Sequence, residues 1–125
     1  MKFFKSAIMA LAVIFALCGN VAEAGADIYW ETTDVILERG RCIIKGYFYN
    51  NGDESGTVNK MEMTVDVKDS DNNRLWKCAG TFKKVKGGYV PAGGQTENIF
   101  SITDPDTTIY DGKVLWKISG QLWWK

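Results

Sequence analysis

The chain has 125 residues, with 15 basic and 15 acidic side chains, a formal net charge of zero and no histidine. The absence of histidine excludes Ser-His-Asp and Cys-His catalysis and the usual histidine-containing zinc sites, because each of these needs an imidazole. Nucleic-acid binding needs a basic surface that displaces counterions from phosphates, and the sequence contains no such cluster of lysine and arginine.

The first residues have the pattern of a secretory signal peptide. Lys2 and Lys5 precede an apolar run over residues 7–17, and the small residues Ala22 and Ala24 follow after a polar break. This order of charged, apolar and small-residue segments is typical of a leader that is removed during export. The apolar run is also too short for a membrane-spanning helix, which needs about 20 residues.

We therefore expect cleavage between Ala24 and Gly25, which divides the chain into a signal peptide of residues 1–24 and one domain of residues 25–125. The protein is expected to be secreted or periplasmic, with no membrane span after cleavage. Two alternatives stay open. One is a lipoprotein anchored through Cys18, and the other is a leader that stays uncleaved as a membrane anchor.

The domain shows strand patterns separated by turn signals. Apolar residues alternate with polar ones, and clusters of glycine, asparagine and aspartate stand between these segments. The alternation is clearest at Met61, Met63, Val65 and Val67, which we expect to face the core of a sheet with one buried side. In chain order, the predicted strands cover residues 28–37, 41–50, 61–68, 75–85, 99–102 and 113–124.

Six or seven short strands with frequent turn signals indicate an all-β domain. We predict an immunoglobulin-like antiparallel β-sandwich, in which two sheets share one core. A closed barrel is the alternative architecture for the same set of strands.

The domain keeps two cysteines after the predicted cleavage, Cys42 and Cys78. An exported chain meets an oxidising compartment, and two cysteines allow only one intramolecular pairing, so we predict a Cys42–Cys78 disulfide. The alternative is two free thiols, because a buried cysteine packs as a small apolar residue. The long separation between them excludes a C-x-x-C redox or zinc motif.

The hairpin after the third predicted strand is similar to the start of a calcium loop. Asp69, Asp71 and Asn73 occupy alternate positions, as oxygen ligands do at the opening of such a loop. Arg74 stands where the loop needs glycine, and aspartate and asparagine are also preferred in tight turns. We therefore expect an ordinary turn, with a calcium site as the alternative, and no cofactor elsewhere.

The domain is rich in aromatic residues for its length. Trp116 is in step with apolar neighbours and is expected in the core, whereas Trp123 and Trp124 must point to opposite faces of their strand. Tyr47 and Tyr49 are out of phase with the core positions of the second strand. Because an exposed aromatic patch often marks a partner site, the candidate binding patch consists of Tyr47, Tyr49, Trp123 and Trp124.

Three segments carry a resemblance to a known family. They are GYFYN at residues 46–50, VDVKD at residues 65–69 and VPAG at residues 90–93. Together, over residues 43–102, they resemble the strand, the naming motif and the turn of the FxLYD-type immunoglobulin-like domains of exported bacterial proteins. The resemblance implies a sandwich fold in an extracytoplasmic module, and it implies no activity.

The sequence predicts a non-enzymatic binding or interaction module of the bacterial cell envelope or periplasm, whose partner is a protein or an envelope component. Paired carboxylates such as Glu62 and Asp66 lie on the expected water-facing side of a strand, where no cleft shifts their pKa for catalysis. One alternative is a carbohydrate-binding module whose exposed tryptophan and tyrosine rings stack on sugars. A second alternative is a structural accessory subunit of a larger assembly.

Overall fold

The computed structural model describes residues 2–3, 6–8, 13–15 and 25–125. Across these residues the fold is all-β, with two antiparallel sheets and no helix. The same residues accordingly contain no helix of the length and hydropathy that crossing a membrane requires. The predicted cleavage position Ala24 and the alternative lipid site Cys18 lie outside the described residues.

The described residues form ten strands, three of them short ones within the predicted leader. The seven others belong to residues 25–125 and include every strand predicted from the sequence. In chain order the strands are β1 (Lys2–Phe3), β2 (Ser6–Ile8), β3 (Val13–Phe15), β4 (Ile28–Glu38), β5 (Arg41–Asn50), β6 (Gly56–Asp69), β7 (Arg74–Phe82), β8 (Tyr89–Val90), β9 (Gln95–Thr103) and β10 (Val114–Trp124).

The strands are divided between a larger and a smaller sheet. The larger sheet has the order β3-β2-β10-β6-β7, with β1 also paired to β10 and β8 to β6. The smaller sheet has the order β4-β5-β9. After β4 and β5 the chain crosses to the larger sheet for β6 to β8, returns for β9, and crosses again for β10. All described pairings are antiparallel.

The core lies between the two sheets and is built by side-chain alternation. Met61, Met63, Val65 and Val67 of β6 are each at most 2% exposed, as predicted, and Trp116 of β10 is also buried. Residues between them point to solvent because successive side chains of a strand leave opposite faces. Among the described residues no hydrogen-bonded strand pair joins the two sheets, so the arrangement is sandwich-like and not a closed barrel.

An aromatic cluster fills the centre of the smaller sheet's inner face. The ring centroid of Trp30 lies 4.9 Å from that of Phe48 and 5.2 Å from that of Phe100. Gly46 leaves the space that the indole needs: a Cβ there would lie 2.6 Å from Trp30 Cζ2 and 2.2 Å from the Glu31 carbonyl oxygen. A glycine at this strand position is therefore required by packing.

Asn50, at the end of β5, is only 1% exposed, and its side chain forms hydrogen bonds with three segments of the chain. Its Oδ1 accepts hydrogen bonds from the main-chain N–H groups of Asp27 and Gly52, at 3.1 Å and 2.9 Å. Its Nδ2 donates to the carbonyl oxygens of Glu54 and Val90, at 2.8 Å and 3.2 Å. The contact with Val90 holds β8, a short strand that the sequence pattern placed in a loop.

The predicted disulfide is wrong for this structure, in which Cys42 and Cys78 are both free. The two residues lie on different sheets, and their sulfur atoms are not at bonding distance. Cys42 is fully buried and packs as a small apolar side chain, whereas Cys78 is partly exposed. Burial raises the pKa of the Cys42 thiol to about 12, with the neighbouring Cys78 as the second cause.

Candidate functional site

The outer side of the smaller sheet carries three partly exposed tyrosines, Tyr29, Tyr47 and Tyr49, which we call the tyrosine face. Tyr29 of β4 pairs directly with Tyr49 of β5, and Tyr47 stands two residues before Tyr49 on the same side of β5. Their neighbours Trp30 and Phe48 point inward and are buried, which turns the tyrosines outward.

The rings of the tyrosine face contact one another. The ring centroids of Tyr29 and Tyr49 are 5.2 Å apart with an angle of 19° between the ring planes, which is a stacked pair. Tyr47 and Tyr49 are 6.0 Å apart and tilted by 42°. Contacts of this kind add about 0.5–1.5 kcal/mol to the burial of the rings, so the three side chains form an ordered surface.

Carboxylates border the tyrosine face on both neighbouring strands. Tyr47 lies between Glu31 of β4 and Glu97 of β9 in the register of the sheet. The pKa of Tyr47 is raised first by its hydrogen bond to Glu97 and then by the charge of that carboxylate. Because the phenol donates to the carboxylate, losing its proton would break this bond and create a like-charge pair.

The other two tyrosines experience the same negative charge. The pKa of Tyr49 is raised first by burial and next by the charge of Glu31. The pKa of Tyr29 is raised first by burial, lowered by a hydrogen bond to Asn51, and raised again by Glu31 and Asp27. The tyrosine face is therefore an aromatic surface in a negative local potential.

The four residues of the predicted binding patch do not form one surface. Tyr47 and Tyr49 lie on the smaller sheet, whereas Trp123 and Trp124 belong to β10 of the larger sheet. Trp123 lies on the outer side of that sheet, where the Nζ of Lys60 is 4.4 Å from the ring centroid. Trp124 pairs with buried Val58 and packs against the core.

Tyr29 is a member of the tyrosine face that the sequence pattern did not indicate. A regular hairpin about the turn at Arg39-Gly40 would place Tyr29 opposite Asn50, since Glu38 pairs with Arg41. An irregularity between Thr32 and Asp34 shifts the register by one residue and brings Tyr29 opposite Tyr49. The sequence signal of this bulge is the run of polar residues 31–34, which interrupts the alternation, and in the structure both Thr33 and Asp34 are exposed.

The candidate calcium loop is a hydrogen-bonded turn. Asp69 Oδ1 accepts the main-chain N–H groups of both Asp71 and Asn73, each at 2.9 Å. Asn72 has the left-handed φ of 70° that such a turn needs, and Asn73 Nδ2 donates to Asp69 Oδ2 at 3.4 Å. Within the described part of the chain, no three histidine, cysteine, aspartate or glutamate side chains form a group that could hold a metal ion.

Neither a protein-family model, nor a curated protein, nor a solved structure matches this chain.

Proposed function

We propose that this protein is an exported, non-enzymatic binding module of the bacterial cell envelope or periplasm, and that its tyrosine face holds a cationic segment of a partner protein. The observation that carries the proposal is the ordered set of three tyrosine rings bordered by Glu31, Glu97 and Asp27. The signal-peptide pattern of residues 1–24 supports export.

We also infer that the fold is of the immunoglobulin-like type. The strand order β4-β5-β9 in one sheet and β10-β6-β7 in the other supports this inference, since the chain crosses between sheets after β5 and after β9. In this topology the tyrosine face is the outer surface of a three-stranded sheet. Such a surface is flat, which suits a protein segment better than a small molecule that needs a pocket.

A lysine or arginine side chain matches both features of the tyrosine face. The cation is attracted to the electron-rich face of a tyrosine ring and to the neighbouring carboxylates of Glu31 and Glu97. Arginine is the better match, because its planar guanidinium can stack on a ring while donating to a carboxylate. Binding through such contacts weakens as salt is added, because exposed charges are screened.

The geometry of the rings argues against the glycan-binding alternative. A single sugar platform of tryptophan and tyrosine needs its rings on one surface, but Tyr47 and Tyr49 lie on the smaller sheet and Trp123 lies on the larger one. The indole of Trp123, on the opposite side of the molecule, already has the ammonium of Lys60 over its ring. A sugar would have to displace this ammonium before it could stack on that side of the indole.

The proposal is tested by titrating the protein with a short arginine-rich peptide and following binding by calorimetry at two salt concentrations. We expect binding that weakens with salt and that falls at least about tenfold in Glu97→Gln, which removes one negative charge and keeps an oxygen that can accept the hydrogen bond of Tyr47. Glu62→Gln is the matched control, because Glu62 lies on the larger sheet and pairs with Lys60 at 3.6 Å.

A second pair of variants tests the rings. Tyr49→Ala is expected to weaken peptide binding, whereas Tyr89→Ala is expected to leave it unchanged, because Tyr89 is 57% exposed in β8, which pairs with the larger sheet. Equal binding by all four variants would show that the tyrosine face is not the site. Quenching of protein fluorescence by envelope polysaccharides, with no peptide binding, would favour the glycan-binding alternative instead.

A further inference from the structure

The edge of β10 that faces away from β6 carries an added strand in this structure. Lys2 and Phe3 of β1 pair with Leu122 and Gln121, and Ala7 and Ile8 of β2 pair with Ile118 and Lys117. The described strands of the predicted leader thus run antiparallel to β10, with pairings at residues 117–118 and 121–122. We call the main chain of residues 117–122, on the side of β10 that faces away from β6, the β10 edge.

The added strands lie at the side of the sandwich where β10 of the larger sheet and β4 of the smaller sheet are not hydrogen-bonded to each other. β1 and β2 are also in contact with β4, the strand of the smaller sheet nearest to β10. They therefore cover the gap between the two sheets on this side of the molecule. Cleavage after Ala24 would remove both strands and leave the N–H and C=O groups of the β10 edge without protein partners.

A cleft lies beside the start of β10, at Val114 and Trp116. It has a volume of about 360 Å³ and is lined by residues that include Val35, Leu37, Tyr110, Lys113 and Trp116. Trp116 is 4% exposed, and its Nε1 has no hydrogen-bond acceptor among the described residues. The other buried indoles do have acceptors: Trp30 donates to Thr32 and Trp76 to Asp104.

We propose that the β10 edge of the processed protein binds an extended segment of a partner protein by strand addition. The segment runs antiparallel to β10, as β1 and β2 do, and carries apolar side chains at alternate positions toward the gap between the sheets. Continued three residues beyond the partner of Lys117, it would arrive opposite Val114, beside the cleft. There an acceptor on the segment can satisfy the indole N–H of Trp116.

The occupant is a different protein and not a second copy, because Gly25 and Lys125, the residues at the two ends of the processed domain, are both hydrogen-bonded within it. The N–H of Gly25 donates to Asp53 Oδ1 at 2.8 Å, and the Gly25 carbonyl accepts from Asp53 at 3.1 Å. Lys125 exchanges two main-chain hydrogen bonds with Thr57, at 3.0 Å and 3.1 Å. Gly25 and Lys125 are therefore both held within their own domain and are not free to pair with another copy. The proposal depends on the proposed export and cleavage, but not on the tyrosine face.

The test uses a domain of residues 25–125 and a synthetic peptide with the sequence of residues 2–8. The described buried hydrophobic side chains all lie between Ile28 and Leu122, so this domain keeps the core and is expected to fold. Hydrogen exchange with mass spectrometry is expected to show that the peptide slows exchange over residues 117–122 by at least about tenfold. The control is the same peptide with N-methyl groups on the alternate amides that face β10, which keeps its charge and side chains. This control is expected to leave the exchange rates of residues 117–122 unchanged, because it cannot donate main-chain hydrogen bonds to β10.

The outcomes separate this proposal from the proposed function. Slowed exchange at β10 with the parent peptide alone supports strand addition. Slowed exchange only on β4 and β5 would place the lysine-containing peptide on the tyrosine face and would overturn strand addition while supporting the proposed function. A dimer with β10 protected in the absence of peptide would also overturn the proposal, because a second copy would then be the occupant.

A second measurement keeps the test decisive if the isolated domain does not fold. A protease site inserted between Ala24 and Gly25 allows the leader to be cut in the folded full chain. Native mass spectrometry is expected to find the cut leader still bound, and the excess parent peptide to displace it. Release of the leader on cutting, with unchanged exchange at residues 117–122, would overturn the proposal.

Discussion

Replacing Asn50, the last residue of β5, is expected to lower the stability of the fold by removing its side-chain hydrogen bonds. Its side chain makes four hydrogen bonds to main-chain groups, and the residue is 1% exposed. A net contribution of about 1 kcal/mol for each bond gives about 4 kcal/mol for Asn50→Ala. Water can reach some of the freed groups, because only the bond to Val90 is fully buried. We therefore expect a loss of about 2–4 kcal/mol in the free energy of unfolding.

The isosteric variant Asn50→Asp adds a pH dependence of known sign. It places a carboxylate oxygen where Nδ2 now faces the carbonyl oxygens of Glu54 and Val90, so the charged form is disfavoured in the folded state and the pKa of the new carboxyl is raised. The unfolded pKa is about 3.9. The stability of Asn50→Asp relative to Asn50→Ala is therefore highest below that pH and falls as the pH rises toward the folded pKa.

Urea unfolding followed by tryptophan fluorescence, repeated across pH, measures both effects. Asn98→Ala is the matched control, because Asn98 also donates to main-chain carbonyl groups, those of Lys86 and Gly87, but in exposed positions. We expect that control to cost less than about 1 kcal/mol. Equal losses for Asn50→Ala and Asn98→Ala, or an Asp-to-Ala difference that does not change with pH, would refute the reasoning.

Three further outcomes follow from other contacts. Gly46→Ala is expected to lower stability by about 3 kcal/mol in thermal unfolding, because the new Cβ meets a carbonyl oxygen in a packed strand pair. In the folded protein a thiol reagent should modify Cys78 before Cys42, and an intact mass lower by two hydrogens would contradict two free thiols. Arg74→Ala should cost at most about 1 kcal/mol at neutral pH, because this surface pair is largely exposed. Arg74 lowers the pKa of Asp66 in the folded protein. The stabilisation by this pair is therefore present above the unfolded-state pKa of the carboxyl and is lost as the pH falls through its folded-state pKa. Urea unfolding at several pH values measures this loss.

The sequence predicted strands well where alternation was unbroken. The bounds of β5 agree with the predicted residues 41–50, and the inward positions of β6 from Met61 onward are all buried. The start of β6 at Gly56 was missed because Val58 and Met61 are both buried, with two partly exposed residues between them. This irregular spacing interrupts the alternation that a sequence reading depends on.

The parts of the candidate site that the sequence did not indicate depend on strand register and on how the two sheets pack. Alternation alone indicated that Tyr47 and Tyr49 face away from Phe48, but only the shifted register of β4 brings Tyr29 beside them. Similarly, the separation of Cys42 and Cys78 along the chain carries no information on the distance between their Cα atoms, which decides whether a disulfide can form. Register and the packing of one sheet on another are set by contacts between distant residues.

The two proposed binding modes rest on different interactions. Their affinities should therefore depend differently on salt concentration, which can be measured without any mutation. The tyrosine face would hold its partner through charges on Glu31 and Glu97, which lie near the surface and are screened within about 8 Å at physiological ionic strength. Strand addition at β10 would use main-chain hydrogen bonds and apolar burial, which added salt does not weaken. A partner that engages both surfaces should therefore lose only part of its affinity as salt rises. The part that persists should disappear when the β10 edge is already occupied by a retained leader.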